Sequence, residues 1–180
     1  MKKSLLSIAI LAAAFCMTAC GNKSGDNAGG ADSTEVAPEA TAQAEIELKT
    51  VYEQKMFSVG VPEGWNTTPN NDPETSDIMF FKGDMEQIMS IPCVIFNVDV
   101  PEDGKSLEES FKELEIEGSK PLDDVTIGRQ TYKCMEVNED GQKGLLLGSM
   151  DKGKTIGITL VNAELNDPEV QAIIESLKVK

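Results

Sequence analysis

The sequence predicts an α+β domain in which a mainly antiparallel sheet is covered by helices. Three observations predict it: strand-like runs fill most of residues 46 to 180, two Gly-containing turns separate the last three runs, and two segments carry helix-start signals. In order, "LKTVYEQKMFSVGVP" holds two alternating runs, Leu48 to Tyr52 and Met56 to Val61, and Pro62-Glu63-Gly64 ends the second. "DIMFFKG" and "PCVIFNVDV" are two further runs. In "SLEESFKELEIEG", Ser106 and Glu109 form a capping-box pattern, and Leu107, Phe111 and Leu114 recur along one helical face, with an end expected near Gly118. "QTYKCMEVN", "GLLLGSM" and "KTIGITLV" are separated by Glu139-Asp140-Gly141 and Asp151-Lys152-Gly153, which suit tight turns and predict an antiparallel meander. Leu145, Leu146 and Leu147 are apolar in succession, so that strand should be covered on both faces, whereas Ile156, Ile158 and Leu160 alternate. At the C-terminus Asp167 is a good N-cap, Pro168 suits the first helical position, and Val170, Ile173, Ile174 and Leu177 form one apolar stripe. The 135 residues from Ile46 are the usual size of one domain.

The first 45 residues read differently. Lys2 and Lys3 precede an apolar run from Leu5 to Ala14, which is shorter than the roughly 20 residues a bilayer span needs. "MTAC", residues 17 to 20, resembles the lipobox of bacterial lipoproteins, with Met17 in place of the usual Leu. That resemblance implies cleavage after residue 19, a thioether-linked diacylglycerol on Cys20 and acylation of its new amino group. Each buried methylene is worth about 0.8 kcal/mol, so several chains on one residue make a firm membrane anchor. Gly21 stands where an Asp would retain such proteins at the inner membrane of some Gram-negative bacteria, which points to the outer membrane. Residues 21 to 45 contain no aromatic residue and a single Val, too little apolar surface to offset ordering entropy, and are expected to be a tether with a span of about 25 to 30 Å.

The order of the strands and helices, with "FSVGVPEGW" at residues 57 to 65 and the closing "PEVQAIIESLKVK", resembles the PsbP-like superfamily, in which Phe57, Val59, Val61, Pro62 and Trp65 would occupy a typical early motif. "VTIGRQTYKCMEV", residues 125 to 137, resembles that superfamily's strand, turn and strand, with the turn at Gly128. The resemblance implies an α/β/α sandwich with a mainly antiparallel central sheet. It also implies a binding or assembly role and supplies no shared catalytic set.

Composition narrows the chemistry. Cleavage before Cys20 would leave 14 basic against 31 acidic residues, a formal charge of −17, which repels nucleic acid and anionic headgroups. The chain has no histidine, which removes Ser-His-Asp and Cys-His catalysis and the usual zinc ligand sets. Asp123-Asp124 and Glu108-Glu109 are adjacent pairs rather than the convergent geometry of an acid and a base. Met85, Met89 and Cys93 recur at i, i+4, i+8, a sulfur set that suits copper(I), but Pro92 interrupts the helix that would align them, and core packing is the preferred reading. The acidic clusters at Asp72 to Asp77, Glu102-Asp103-Gly104 and Glu139-Asp140-Gly141 lack EF-hand spacing and suit solvated turns. Cys93 and Cys134 both fall in strands; either a disulfide, whose 41-residue loop would contribute about 4 kcal/mol, or two buried thiols fits the sequence. Trp65 either plugs the core or lines a pocket.

The expectation is therefore a lipid-anchored envelope protein that binds or assists a protein partner, holds no cofactor or resident metal, does not bind nucleic acid, and has no catalytic activity. The alternative is an envelope lipoprotein that binds a small ligand or a metal ion, calcium or copper.

Overall fold

The computed structural model describes residues 46–69, 71–101, 105–113, 119–139 and 142–180. The lipobox, the expected tether, the Glu102-Asp103-Gly104 turn, the helix end near Gly118 and the Asp140-Gly141 turn lie outside them. Among the described residues ten strands and two helices follow in the order β1 (Leu48–Glu53), β2 (Phe57–Pro62), β3 (Trp65–Thr67), β4 (Asp77–Lys82), β5 (Cys93–Asp99), α1 (Leu107–Glu113), β6 (Lys120–Ile127), β7 (Gln130–Glu139), β8 (Gln142–Asp151), β9 (Lys154–Val161), α2 (Pro168–Glu175) and β10 (Lys178–Val179). A 3-10 turn, Met85–Gln87, precedes β5.

Seven strands form one sheet in the order β3-β4-β5-β9-β8-β7-β6, antiparallel at every pairing, and β1-β2-β10 form a smaller antiparallel sheet. The α+β class with a mainly antiparallel sheet is the observed one. The expected meander is β7-β8-β9, and the turn from β8 to β9 places Lys152 and Gly153 at φ 49° and 73°, as a two-residue hairpin of mirror-image type requires.

Alternation assigns the two faces of the large sheet. Ile78, Phe80, Val94, Phe96, Val98, Ile156, Ile158, Leu160, Leu147, Tyr132 and Cys134 bury one face against Val170, Ile173 and Ile174 of α2 and against Phe57, Val59, Val61 and Val179 of the small sheet. One covering layer is thus a helix and a three-stranded sheet together, where the sequence offered a helix alone. The other face is covered at β7 and β8 by α1, whose Phe111 packs on Met135, Val137 and Leu146. This accounts for the three successive leucines, since Leu145 and Leu147 enter the main core and Leu146 meets Phe111.

Both helix starts form as their sequences direct. Glu109 N–H donates to Ser106 Oγ at 3.2 Å, and in return Ser106 N–H, at 2.9 Å, and the Ser106 hydroxyl, at 3.1 Å, donate to the Glu109 carboxylate and, the backbone bond first, hold its carboxyl below its ordinary range. Asp167 accepts from Glu169 N–H at 2.8 Å, with Pro168 opening α2.

Candidate functional site

The structure places a cleft of about 370 Å³ where the β6–β7 hairpin meets the C-terminal end of α2. Its floor is Ile127, Ile174 and Leu177, and its polar lining is Arg129, Gln130, Tyr132 and Glu175. The hairpin makes the wall because Gly128 takes φ +59° at the first loop position, with Ile127 paired to Gln130, which is the two-residue turn that demands glycine first. A Cβ at Gly128 would lie 3.2 Å from Glu175 Cγ, so the turn sits directly on the end of α2. Gln130 is committed to holding that turn: its amide donates to Ser149 Oγ, which donates onward to the Thr131 carbonyl at 2.8 Å.

Two donors of the lining are unspent. Arg129, the single arginine of the chain, is exposed and makes neither a hydrogen bond nor an ion pair among the described residues. Tyr132 is 2% exposed, yet its hydroxyl has no partner among the described residues and is not sealed from the cleft. Burial first, and the charge of Asp151 second, push this phenol up to about 12, so at neutral pH it is a fixed donor. Glu175 is exposed and supplies an acceptor. An apolar floor with a buried phenol donor and an exposed guanidinium and carboxylate in its lining complements a polypeptide segment, which offers carbonyls, amide N–H groups and apolar side chains in close sequence.

The residues singled out from sequence lie elsewhere. Cys93 and Cys134 are buried free thiols that the structure does not bring together. Cys93 lies on β5 on the face of Phe81 and Val161, whereas Cys134 lies on β7 in the opposite, main-core face. Strands β9 and β8 intervene and Cys93 is level with Val137, so three strand spacings alone put the two cysteines at least about 14 Å apart. A disulfide needs Cα atoms within about 7 Å and Cβ vectors that converge, so the disulfide alternative is set aside. Burial pushes the Cys93 thiol up to about 11, and burial likewise raises Cys134, which keeps both protonated and unlike thiolate ligands. Met85 is 44% exposed on the 3-10 turn, while Cys93 Sγ lies against the carbonyls of Ile88 and Ile91, so the sulfur series does not form one ligand face. Among the described residues no three His, Cys, Asp or Glu side chains are grouped to hold a metal ion.

Trp65 is a core residue, 5% exposed, and its indole N–H donates to Glu169 at 2.7 Å. The same carboxylate oxygen takes Lys82 Nζ at 2.7 Å, which joins β3 and β4 to the start of α2. Of the acidic pairs, Glu108 and Asp124 both reach Lys133, at 3.5 and 3.9 Å. These exposed charges brace α1 against β6 and β7 weakly.

The cleft residues carried no candidate role in the sequence. Their signal was present in "IGRQTY": a lone arginine beside a turn glycine, followed by an aromatic on the inward register.

No protein-family model matches the chain, and no curated protein matches it. It is similar to solved structures at low identity. A protein of Bacteroides thetaiotaomicron is 14% identical, with a TM-score of 0.47 over 69% of this chain and 45% of that one, so the chain spans less than half of that protein. The cyanobacterial PsbP, CyanoP, of Synechocystis is 16% identical, with a TM-score of 0.42 over 79% of this chain and 99% of that one. LpqN of Mycobacterium tuberculosis, a protein involved in cell envelope biogenesis, is 14% identical, with a TM-score of 0.41 over 69% and 83% of the two chains. No helix among the described residues is long and apolar enough to cross a membrane.

Proposed function

We propose that this chain is a lipid-anchored binding or accessory protein of the bacterial cell envelope, held in the outer membrane of a Gram-negative cell through Cys20, and that it acts by holding a segment of a protein partner without turnover of its own. The observation that carries the binding role is the cleft, where Tyr132 and Arg129 keep donors unspent above Ile127, Ile174 and Leu177. The lipobox-like "MTAC" supports the anchor, and the lack of histidine supports a role in binding rather than turnover. A tether from the membrane would raise the local concentration of a membrane-held partner.

The anchor and the cleft are tested separately. Cys20→Ala should abolish fatty-acid labelling and leave an uncleaved precursor; labelling that persists removes the anchor. For the cleft, solubilised envelope proteins are captured on the full chain, and Arg129→Ala should weaken retention about tenfold, the loss of one charge-assisted hydrogen bond. Retention unchanged by Arg129→Ala and by Tyr132→Phe contradicts the cleft as the contact. Hydrolysis of an envelope substrate by the purified chain, abolished by one carboxylate substitution, contradicts the binding role itself.

A further inference from the structure

Among the described residues strand β1 is an edge of the small sheet, whose order is β1-β2-β10. Gln54 N–H donates to the Phe57 carbonyl at 2.8 Å, and the register continues as Glu53↔Ser58, Tyr52↔Val59, Val51↔Gly60 and Thr50↔Val61. Bonded residues alternate along an antiparallel ladder, so Gln54, Tyr52 and Thr50 turn their backbone groups to β2. Val51 and Glu53 therefore present theirs to the open side. Lys49 stands two residues before Val51, the spacing that shares a strand face, and is the extra residue where the register shifts between Leu48 and Thr50. All three side chains are exposed, Val51 at 62%.

Sheet edges are ordinarily guarded by charge, proline or a bulge. Strand β6, at the end of the large sheet, has Pro121 and a bulge between Leu122 and Val125. Strand β1 has a bulge and charges too, but the order of its charges is its own complement. Pairing β1 with a second β1 about a two-fold axis through Val51 sets Lys49 opposite Glu53 at both ends and Val51 against Val51. One step further out, Glu47 comes opposite Lys55.

We propose that two copies of this chain pair antiparallel through β1, centred on Val51, and join their small sheets into one six-stranded sheet. The outward N–H and C=O of Val51 and Glu53 supply the ladder, and the two Lys49–Glu53 pairs set the register. In the single chain Lys49 meets Glu47 at 2.6 Å and Glu53 meets Lys180 at 2.9 Å. Exposed pairs of this kind are weak, so exchanging them across the two-fold costs little. One short strand buries less than the roughly 800 Å² per partner of a standard interface, so the dimer is concentration-dependent. A shared membrane surface would favour it. This inference does not rest on the cleft.

Sedimentation equilibrium of the full chain in detergent, over a concentration series, tests it. The expected result is a monomer–dimer equilibrium that Lys49→Glu and Glu53→Lys each weaken about tenfold or more and that the double reversal restores. Val51→Pro removes an N–H that β2 does not use, so it should keep the wild-type melting temperature and give monomers. Monomers at every concentration overturn the proposal. So does a dimer indifferent to the single reversals or to Val51→Pro, and so does a double reversal that melts as wild type yet stays monomeric.

Discussion

Glu169 does three jobs with one carboxylate: it caps the buried indole of Trp65, pairs with Lys82 and sits in the first turn of α2. The Lys82 bond first, then the Trp65 bond, hold its carboxyl below the ordinary carboxylate range. A depressed carboxyl contributes stability above its unfolded pKa and loses it as pH falls through the folded value, so this contribution fades on acidification below about pH 4.5. The Lys82 side chain is 46% exposed, so solvent screens its part, and the Trp65 N–H carries more of the effect. Glu169→Ala should cost about 1–2 kcal/mol in urea unfolding at neutral pH, because the indole N–H is left unsatisfied, and should lose part of the acid dependence.

Tyr132 behaves in the opposite direction. Its phenol titrates at about 12 in the folded chain against 10.0 for an unburied tyrosine, so folding favours the protonated form and stability falls as pH rises between those values. Cys93, at about 11 against 9.0, adds to the same alkaline loss from a lower starting pH. Because the Tyr132 hydroxyl has no partner among the described residues, Tyr132→Phe should change stability at neutral pH by less than about 0.5 kcal/mol while reducing the alkaline loss above pH 10. Urea unfolding across pH checks both statements. A neutral-pH loss of about 2 kcal/mol or more would place the hydroxyl in a structural bond instead.

Among the elements, α1 depends most on one contact. Phe111 lies on Gly148 of β8, where an added Cβ would come within 1.7 Å of the ring. Met135, Val137 and Leu146 pack against the same ring. Gly148→Ala should therefore expel Phe111 and cost about 1–3 kcal/mol, with the loss of hydrogen-exchange protection confined first to α1. Phe111→Ala should fray the same helix without straining the strand. Equal protection of α1 in wild type and Gly148→Ala would show that the ring has room to move. Element by element, strong periodicity and capping made β1, β2, β4, β5, β7, β8, β9 and α2 legible in the sequence. Three-residue β3 and two-residue β10 were not, because so few residues carry no period and their pairing is decided by partners distant in sequence. Strand β6 has exposed Asp123 and Asp124 at its bulge, which reads locally as a solvated turn, and only the resemblance around Gly128 marked its final residues.

Across the whole molecule, the sequence conveyed the α+β class and the main core but not the second sheet in the covering layer. That layer forms because β10 returns to β2 after α2, with Lys180 N–H donating to the Met56 carbonyl at 2.9 Å, a pairing across most of the chain that no local pattern encodes. The cleft was hidden for the same reason. Arg129 and Tyr132 are close in sequence, but Ile174, Glu175 and Leu177 reach them only through the docking of α2. The cysteines illustrate the reverse limit, because strand membership was legible while strand order and register, which keep Cys93 and Cys134 apart and on opposite faces, were not.

The central claim is that this chain works by holding a polypeptide in the cleft between the β6–β7 hairpin and α2. Site-specific photo-crosslinking in intact cells tests it most directly, with the photoreactive residue at Glu175 on the rim and, for comparison, at Glu63 in the exposed turn after β2. The account predicts a discrete polypeptide adduct from position 175, absent from position 63 and lost when Arg129→Ala is added. Equal adducts from both positions, or an adduct at 175 that Arg129→Ala leaves intact, would contradict it.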